Sequence, residues 1–311
     1  MPDDYVLLAG SASGHLASAV GEYLDHDVGN SETLRFSDGN LFVRVLENVR
    51  GRDVFVVQAV APPANDNFME LLFWIDALKR ASASSVTAVI PYFSYATGDK
   101  KDEPRVSIRA RVCADALEAA GVDRVVTLDL HAPQVQGVFR VPVDDLHAAP
   151  VLCEAVASKV GDDLVVVAPD AGFAKKARDY ATRLRAPLAI ADKRRLDHSE
   201  SAEVTELMGD VAGRTALVVD DFTISAGTLI DAARVLLERG ATAVLAAVSQ
   251  ALLTEQSLER LEASPIERLY VTDAVQIVAT SAKLEVVSVA GLFGEAIKRI
   301  HRRESISVLF E

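Results

Sequence analysis

The stretch VVDDFTISAGTLIDAARVLLERGA, Val218 to Ala241, decides the fold. It opens on an apolar run ending in two adjacent acids, turns through Ser225, Ala226, Gly227 and Thr228, and then repeats apolar residues at spacings of three and four. A short apolar run, a turn and a helical period make up one strand-turn-helix unit of an α/β sheet. The runs DVFVVQAV, SVTAVIPYF, RVVTLDL, DLVVVAPD, PLAIAD and ATAVLAAV have the same character. Strands that are apolar at every position are covered on both faces, as in parallel sheets.

Between these runs, NDNFMELLFWIDALKRASA and SIRARVCADALEAAG carry the helical period. Asn65 or Asp66 and Ser107 are the expected N-caps, and Gly121 is the expected stop. The alternation proceeds once to about Val143 and restarts after DDLHAAPVL, which predicts two α/β units, 1–149 and 150–311, each a mostly parallel sheet flanked by helices.

With 311 residues, half of them hydrophobic, the chain can bury a sizeable core. A net charge of -13 argues against a surface that holds a nucleic acid backbone, so an acidic ligand needs local basic patches. Neither a secretory leader nor an apolar run of membrane-spanning length is present, so a cytoplasmic protein without a membrane partner is expected. Cys113 and Cys153 have no metal or redox spacing and read as buried reduced thiols. The segment GSASGH near Gly10 lacks the P-loop and dinucleotide spacings and reads as a turn.

The opening stretch also has a chemistry. In open α/β sheets ligands bind beyond the carboxyl ends of strands, where Asp220 and Asp221 are delivered. Ser225, Ala226 and Gly227 are small enough for backbone N–H groups to approach a phosphate, Thr228 adds a hydroxyl, and the helix presents its positive end. Paired carboxylates suit vicinal sugar hydroxyls, so the stretch reads as a sugar-phosphate site. The alternative is a strand end whose acids cap a helix.

Around that stretch, FSDGNLFVRVLENVRG, NDNFMELLFWIDALKRASA, IPYFSYATGDKKDEPR, TLDLHAPQVQGVF, VDDLHAAPVL, VVAPDAGFAKKA, DKRR and AIKRIHRRESISVLFE follow in an order that resembles the ribose-phosphate diphosphokinase (phosphoribosyl pyrophosphate synthetase) family, over essentially the whole chain. The resemblance implies an α/β protein of two phosphoribosyltransferase-like domains. It implies Mg²⁺, ATP and ribose 5-phosphate, with the diphosphoryl group passing to the C1 hydroxyl and AMP released. It further implies a homo-oligomer, hexamer or dimer, that responds to phosphate and ADP. By the same resemblance His131 and Asp170 are metal-associated, with His131 also counted as catalytic, and Lys193 and Arg195 cover the transferred phosphates. Phe36, Asp38 and Asn40 face adenine, Lys100, Lys101 and Arg105 lie near the nucleotide, and Arg50, Ser305 and Ser307 are effector candidates. A plain C-terminal helix and strand is the alternative for that last set.

The chain departs from the family's pattern at both substrate loops. Asn40 replaces a glutamate, Thr97 and Gly98 replace an arginine-glutamine pair, Ile224 replaces a third acid, Ser225 replaces a threonine, and Ser249, Gln250 and Ala251 stand where Thr-His-Gly is usual. Three readings are therefore carried forward: a working diphosphokinase, a diverged phosphotransferase with another acceptor or nucleotide donor, and a non-catalytic regulatory associate. The last is expected to have lost the catalytic cations, which this chain keeps.

Overall fold

The computed structural model describes residues 5–194, 203–277 and 280–310, the side chains of 192–194 and 203–206 excepted. Contacts divide the chain into two units. One holds Met1–His147, Ala274–Gln276 and Val289–Glu311; the other holds Ala148–Asp273 and Ile277–Ser288. This differs from the expected division into 1–149 and 150–311 chiefly at the C terminus, where the last helix belongs to the first unit.

The first unit begins β1 (Tyr5–Ala9), α1 (Gly14–Leu24), β2 (Ser31–Arg35), β3 (Leu41–Val45), β4 (Asp53–Val57) and α2 (Ala64–Arg80). It continues β5 (Ser85–Ile90), α3 (Arg109–Ala120), β6 (Arg124–Leu128) and β7 (Val143–Leu146). Its main sheet has the order β1-β4-β5-β6-β7, every pair parallel. Alternate strand residues point to opposite faces. Val54, Val56, Val86 and Ala88 pack with Leu71, Trp74, Ile75 and Leu78 of α2 and with Ala114 and Leu117 of α3. Strands β2 and β3 form a separate antiparallel hairpin that rests on α2.

The expected N-caps are corrected. The caps of α2 and α3 are Pro63 and Ile108, and neither makes a side-chain capping bond. Asn65 and Asp66 are spent on neighbours instead: Asn65 accepts from the Tyr95 hydroxyl and Asp66 pairs with Arg35. Gly121 does close α3, in the left-handed conformation at φ 106°.

The second unit runs α4 (Ala149–Ala157), β8 (Leu164–Ala168), α5 (Ala174–Arg183), β9 (Leu188–Arg194), β10 (Glu203–Met208), β11 (Thr215–Thr223) and α6 (Gly227–Glu238). It ends with β12 (Ala243–Ala251), α7 (Glu255–Glu262), β13 (Arg268–Thr272) and β14 (Leu284–Val287). The sheet order is β10-β9-β8-β11-β12-β13-β14, parallel except for the β9/β10 pair. β11 pairs with β8 only from Thr215 to Val218, yet it stays in register with β12 as far as Thr223. The carboxyl end of β11 is thus carried past the end of β8.

Helix α8 (Ala290–Arg302) returns to the first unit and lies against α1, where the Tyr23 ring packs on the bare faces of Gly291 and Gly294. His301 Nδ1 lies 3.1 Å from Asp53 Oδ2. A 3-10 turn, Ser307–Phe310, follows α8 where the alternative reading had a strand. Burial pushes the Cys113 thiol up to about 11 and the Cys153 thiol to about 12, so both stay protonated, as their apolar surroundings in the sequence suggest. Among the described residues no helix is long and apolar enough to cross a membrane.

Candidate active site

In the second unit the structure gathers Asp170, Asp220 and Asp221. Asp220 and Asp221 lie on the overhang of β11, and Asp170 follows the end of β8, where its Oδ1 accepts from Phe173 N at 2.9 Å. Asp221 is 6% exposed. Burial, then the charge of Asp221, and more weakly that of Asp170, hold the Asp220 carboxyl well above the usual carboxylate range. Lys176, in the first turn of α5, sets its ammonium 3.8 Å from Asp221 Oδ2 and over the Phe173 ring. The sequence reading missed Lys176. Its signal was a lysine one turn into the helix that follows a strand-end acid.

The turn after β11 is built from its own side chains. The Thr223 hydroxyl accepts from Ala226 N at 3.1 Å, and the Ser225 hydroxyl accepts from Gly227 N at 3.3 Å. Ala226 is fully buried at φ 55°, a left-handed angle that costs a non-glycine residue about 1 kcal/mol. The next amides, of Thr228 and Leu229, belong to the first turn of α6, where N–H groups have no acceptor inside the helix. These amides, the exposed Thr228 hydroxyl and the helix dipole make an anion-binding edge. Ile224, 53% exposed, stands at the same turn.

In the first unit His131 is exposed on the bend after β6. That bend is held from below: Asp145 Oδ1 accepts from Leu130 N at 2.9 Å, and Asp129, itself left-handed at φ 45°, donates its N–H to Leu146 O and meets His147 Nδ1 at 3.2 Å. The hairpin tip carries Phe36, 49% exposed, with Asp38 and Asn40. Asp38 Oδ1 accepts from Asn40 N at 2.9 Å, so one carboxylate oxygen shapes the turn. Thr97 and Gly98 close a 3-10 turn (Ser94–Thr97), and the exposed Lys100, Lys101 and Arg105 follow it.

Two features of α2 tie these nucleotide-loop candidates together. Its first turn holds the hairpin through Arg35 and Asp66 and the 3-10 turn through Tyr95 and Asn65. One turn deeper, Glu70 is 1% exposed and receives donors from three directions. Its Oε1 accepts from Ser11 N at 2.9 Å, Thr33 Oγ1 at 3.0 Å and Trp74 Nε1 at 3.2 Å; its Oε2 accepts from Gln58 Nε2 at 3.2 Å and from the Ser11 hydroxyl. GSASGH, a plain turn by sequence, is therefore anchored to the hairpin through one buried carboxylate. Among the expected site residues, Lys193 lies at the end of β9 with its side chain outside the description, and Arg195 falls outside the described residues.

Two mostly parallel sheets, one presenting paired acids and a small-residue turn at a helix N-terminus, define the phosphoribosyltransferase-like class with two domains. The comparisons with known proteins narrow it. Residues 5–121 match the N-terminal domain of ribose phosphate pyrophosphokinase, and residues 196–311 match the phosphoribosyl synthetase-associated domain. The ribose-phosphate pyrophosphokinase of Chromobacterium violaceum is 46% identical over 99% of this chain and 95% of its own length. That of Caldanaerobacter subterraneus subsp. tengcongensis is 47% identical over 98% and 97%. The crystal structure of phosphoribosylpyrophosphate synthetase from Mycobacterium smegmatis matches with a TM-score of 0.90 at 36% identity, covering 96% of this chain and 99% of that one. The chain belongs to the ribose-phosphate pyrophosphokinase family.

Proposed function

We propose that the protein transfers the diphosphoryl group of ATP to the C1 hydroxyl of ribose 5-phosphate, giving phosphoribosyl diphosphate and AMP. The observation that carries this reading is the end of β11, where crowded carboxylates stand directly before an anion-binding helix start, so that hydroxyls and phosphate of one small ligand are served by one turn. Asp220 and Asp221 take the sugar hydroxyls; Ser225, Ala226, Gly227 and Thr228 take the 5-phosphate. Phe36, Asp38, Asn40, Lys100, Lys101 and Arg105 serve the nucleotide, and Lys193 and Arg195 neutralise the transferred phosphates, since phosphoryl transfer needs positioning and charge more than a covalent nucleophile.

The acid cluster fits a divalent cation. Burial and the charges of Asp221 and Asp170 hold the Asp220 carboxyl well above the usual carboxylate range, a cost that positive charge relieves, and the Lys176 ammonium stands 3.8 Å from Asp221 Oδ2. No group of three His, Cys, Asp or Glu side chains among the described residues could hold a metal ion. Mg²⁺ keeps several waters and takes one or two carboxylates together with substrate phosphates. Asp170 is its proposed holder in this unit, and His131 of the first unit is proposed as metal-associated on the family resemblance alone. Bound there, Mg²⁺ would neutralise developing phosphate charge.

Phosphorus NMR on the protein with Mg²⁺, ATP and ribose 5-phosphate tests the reading. AMP together with a C1 diphosphate is expected; ADP would indicate single phosphoryl transfer, and no change would refute this donor and acceptor pair. Ile224 gives the diverged phosphotransferase its one specific support, an exposed apolar group where the family has an acid. Ile224→Asp is expected to leave the KM for ribose 5-phosphate within about threefold if that sugar is the natural acceptor, because Asp220 and Asp221 already hold it; a rise in kcat/KM of tenfold or so, roughly 1.4 kcal/mol, would favour the redirected acceptor.

A further inference from the structure

Thr97 and Gly98 stand where the family resemblance implies an arginine-glutamine pair, and the structure brings a guanidinium beside Gly98 from elsewhere in the chain. Gly98 is buried, with φ −95° and ψ 51°, angles open to other residues, so space and not backbone conformation calls for glycine here. A Cβ at position 98 would lie 2.5 Å from Arg109 Nε, 2.8 Å from Arg109 Cβ and 3.2 Å from its Cζ. The Nε end of that side chain can swing aside. The Cβ cannot, because Arg109 is the first residue of α3 and the next amide, Ala110 N, donates to Gly98 O at 3.2 Å. The bare face of Gly98 is therefore the seat of Arg109.

The seated arginine is exposed, and among the described residues it has no hydrogen bond or ion pair. Two residues along the same helix, Arg111 shows the ordinary alternative: its guanidinium grips both Asp115 oxygens, at 2.6 and 2.9 Å, and Val138 O at 2.6 Å. A guanidinium carries five fixed donors and no acceptor, so one that is packed in place but unpaired is complementary to an anion. Its surroundings agree. The segment from Gly98 to Arg109 also carries Lys100, Lys101 and Arg105, and the 3-10 turn it leaves is tied through Tyr95 and Asn65 to the first turn of α2, which holds the hairpin.

We propose that Arg109, seated on Gly98, is a nucleotide-binding residue of this chain, its planar fork taking phosphate oxygens of the nucleoside triphosphate in place of the arginine that the family resemblance implies at position 97. The proposal rests on the nucleotide reading above. Gly98 and Arg109 then act as one unit. A side chain at 98 would push residue 109 from this position, so the glycine is what lets the guanidinium sit there. Lysine at 109 is a poor substitute, since a point charge does not reproduce the forked contact.

Steady-state kinetics of the full chain test this, varying ATP and ribose 5-phosphate separately. Arg109→Ala is expected to raise the KM for ATP roughly tenfold or more, as loss of a charge-assisted contact does, with the KM for ribose 5-phosphate and the melting temperature unchanged. Gly98→Ala should move the KM for ATP the same way by unseating the arginine. The decisive variant is Arg109→Lys, which keeps the charge without the fork and should recover little of the ATP affinity. Full recovery with lysine, or an equal rise in both KM values, overturns the proposal. Phe36→Ala separates the two levels: if it raises the KM for ATP while Arg109→Ala does not, the nucleotide reading stands and Arg109 has no part in it, whereas if neither variant responds the nucleotide reading falls with it.

Discussion

The two proposed substrate regions are constructed in opposite ways. The acid-bearing turn grows out of the centre of a seven-stranded sheet, its strand registered with β12 up to the last residue before the loop. The nucleotide elements lie on a two-stranded hairpin outside the main sheet and on a 3-10 turn, held by a few polar links to α2. A backbone fixed by sheet pairing tolerates a costly site, here crowded carboxylates and a left-handed alanine. A backbone held by side chains can seat a charged residue from elsewhere in the chain, as proposed for Arg109 on Gly98. Of the departures from the family pattern, Asn40, Thr97 and Gly98 fall in the second region; in the first, Ile224 and Ser225 are exposed and Ser249, Gln250 and Ala251 are buried at the end of β12.

This contrast can be broken by asking what each region loses when its key carboxylate is removed. Glu70→Leu should have the largest effect on folding. It strands donors of Ser11, Thr33, Gln58 and Trp74 in a buried place, for a loss of about 2–4 kcal/mol in denaturant unfolding, and it frees the hairpin, so the KM for ATP rises as well. Asp221→Ala should do the reverse, raising the KM for ribose 5-phosphate by roughly ten- to a hundredfold while unfolding free energy changes by less than about 1 kcal/mol, because relief of repulsion on Asp220 offsets the lost contact with Lys176. Equal folding losses in the two variants would erase the contrast.

The smallest effect sharpens it. With its carboxyl held up by burial and by Asp221, folded Asp220 keeps a proton that the unfolded chain gives up in the ordinary carboxylate range. Stability from this group is therefore lost as pH climbs from that range through the raised value. Melting curves should show Asp220→Asn gaining on the parent protein as pH rises through that window, with no gain at acid pH, and Mg²⁺ should narrow the gap. A flat difference across pH would mean that Asp220 is not held up.

The readable part of this sequence was its sheet centre. DVFVVQAV, SVTAVIPYF, RVVTLDL, DLVVVAPD, TALVVDD and ATAVLAAV all contain observed strands, because a strand covered on both faces must be apolar throughout. Edge strands such as VDDL and LEVV carry acids and are too short to announce themselves, and SETLR reads as a strand only once its partner LFVRV is beside it. The same limit applied to the site. Asp220 and Asp221 were legible from position alone, whereas Asn65 and Asp66 resembled helix caps until Tyr95 and Arg35 claimed them. Glu70 and Arg109 were invisible, since their meaning lies in residues 37 positions away at Thr33 and in an empty face at Gly98.

One feature bears on how the chain is made. Helix α8 packs beside α1 in the first unit, so a stretch synthesised later completes a part synthesised much earlier. Between Ala148 and Val289, on the order of ten seconds of synthesis pass at ordinary elongation rates, during which the surface of α1 around Tyr23 has no cover from α8. A truncated message would therefore release a first unit that lacks its closing helix, and quality control would meet an adhesive surface in place of a half-finished enzyme.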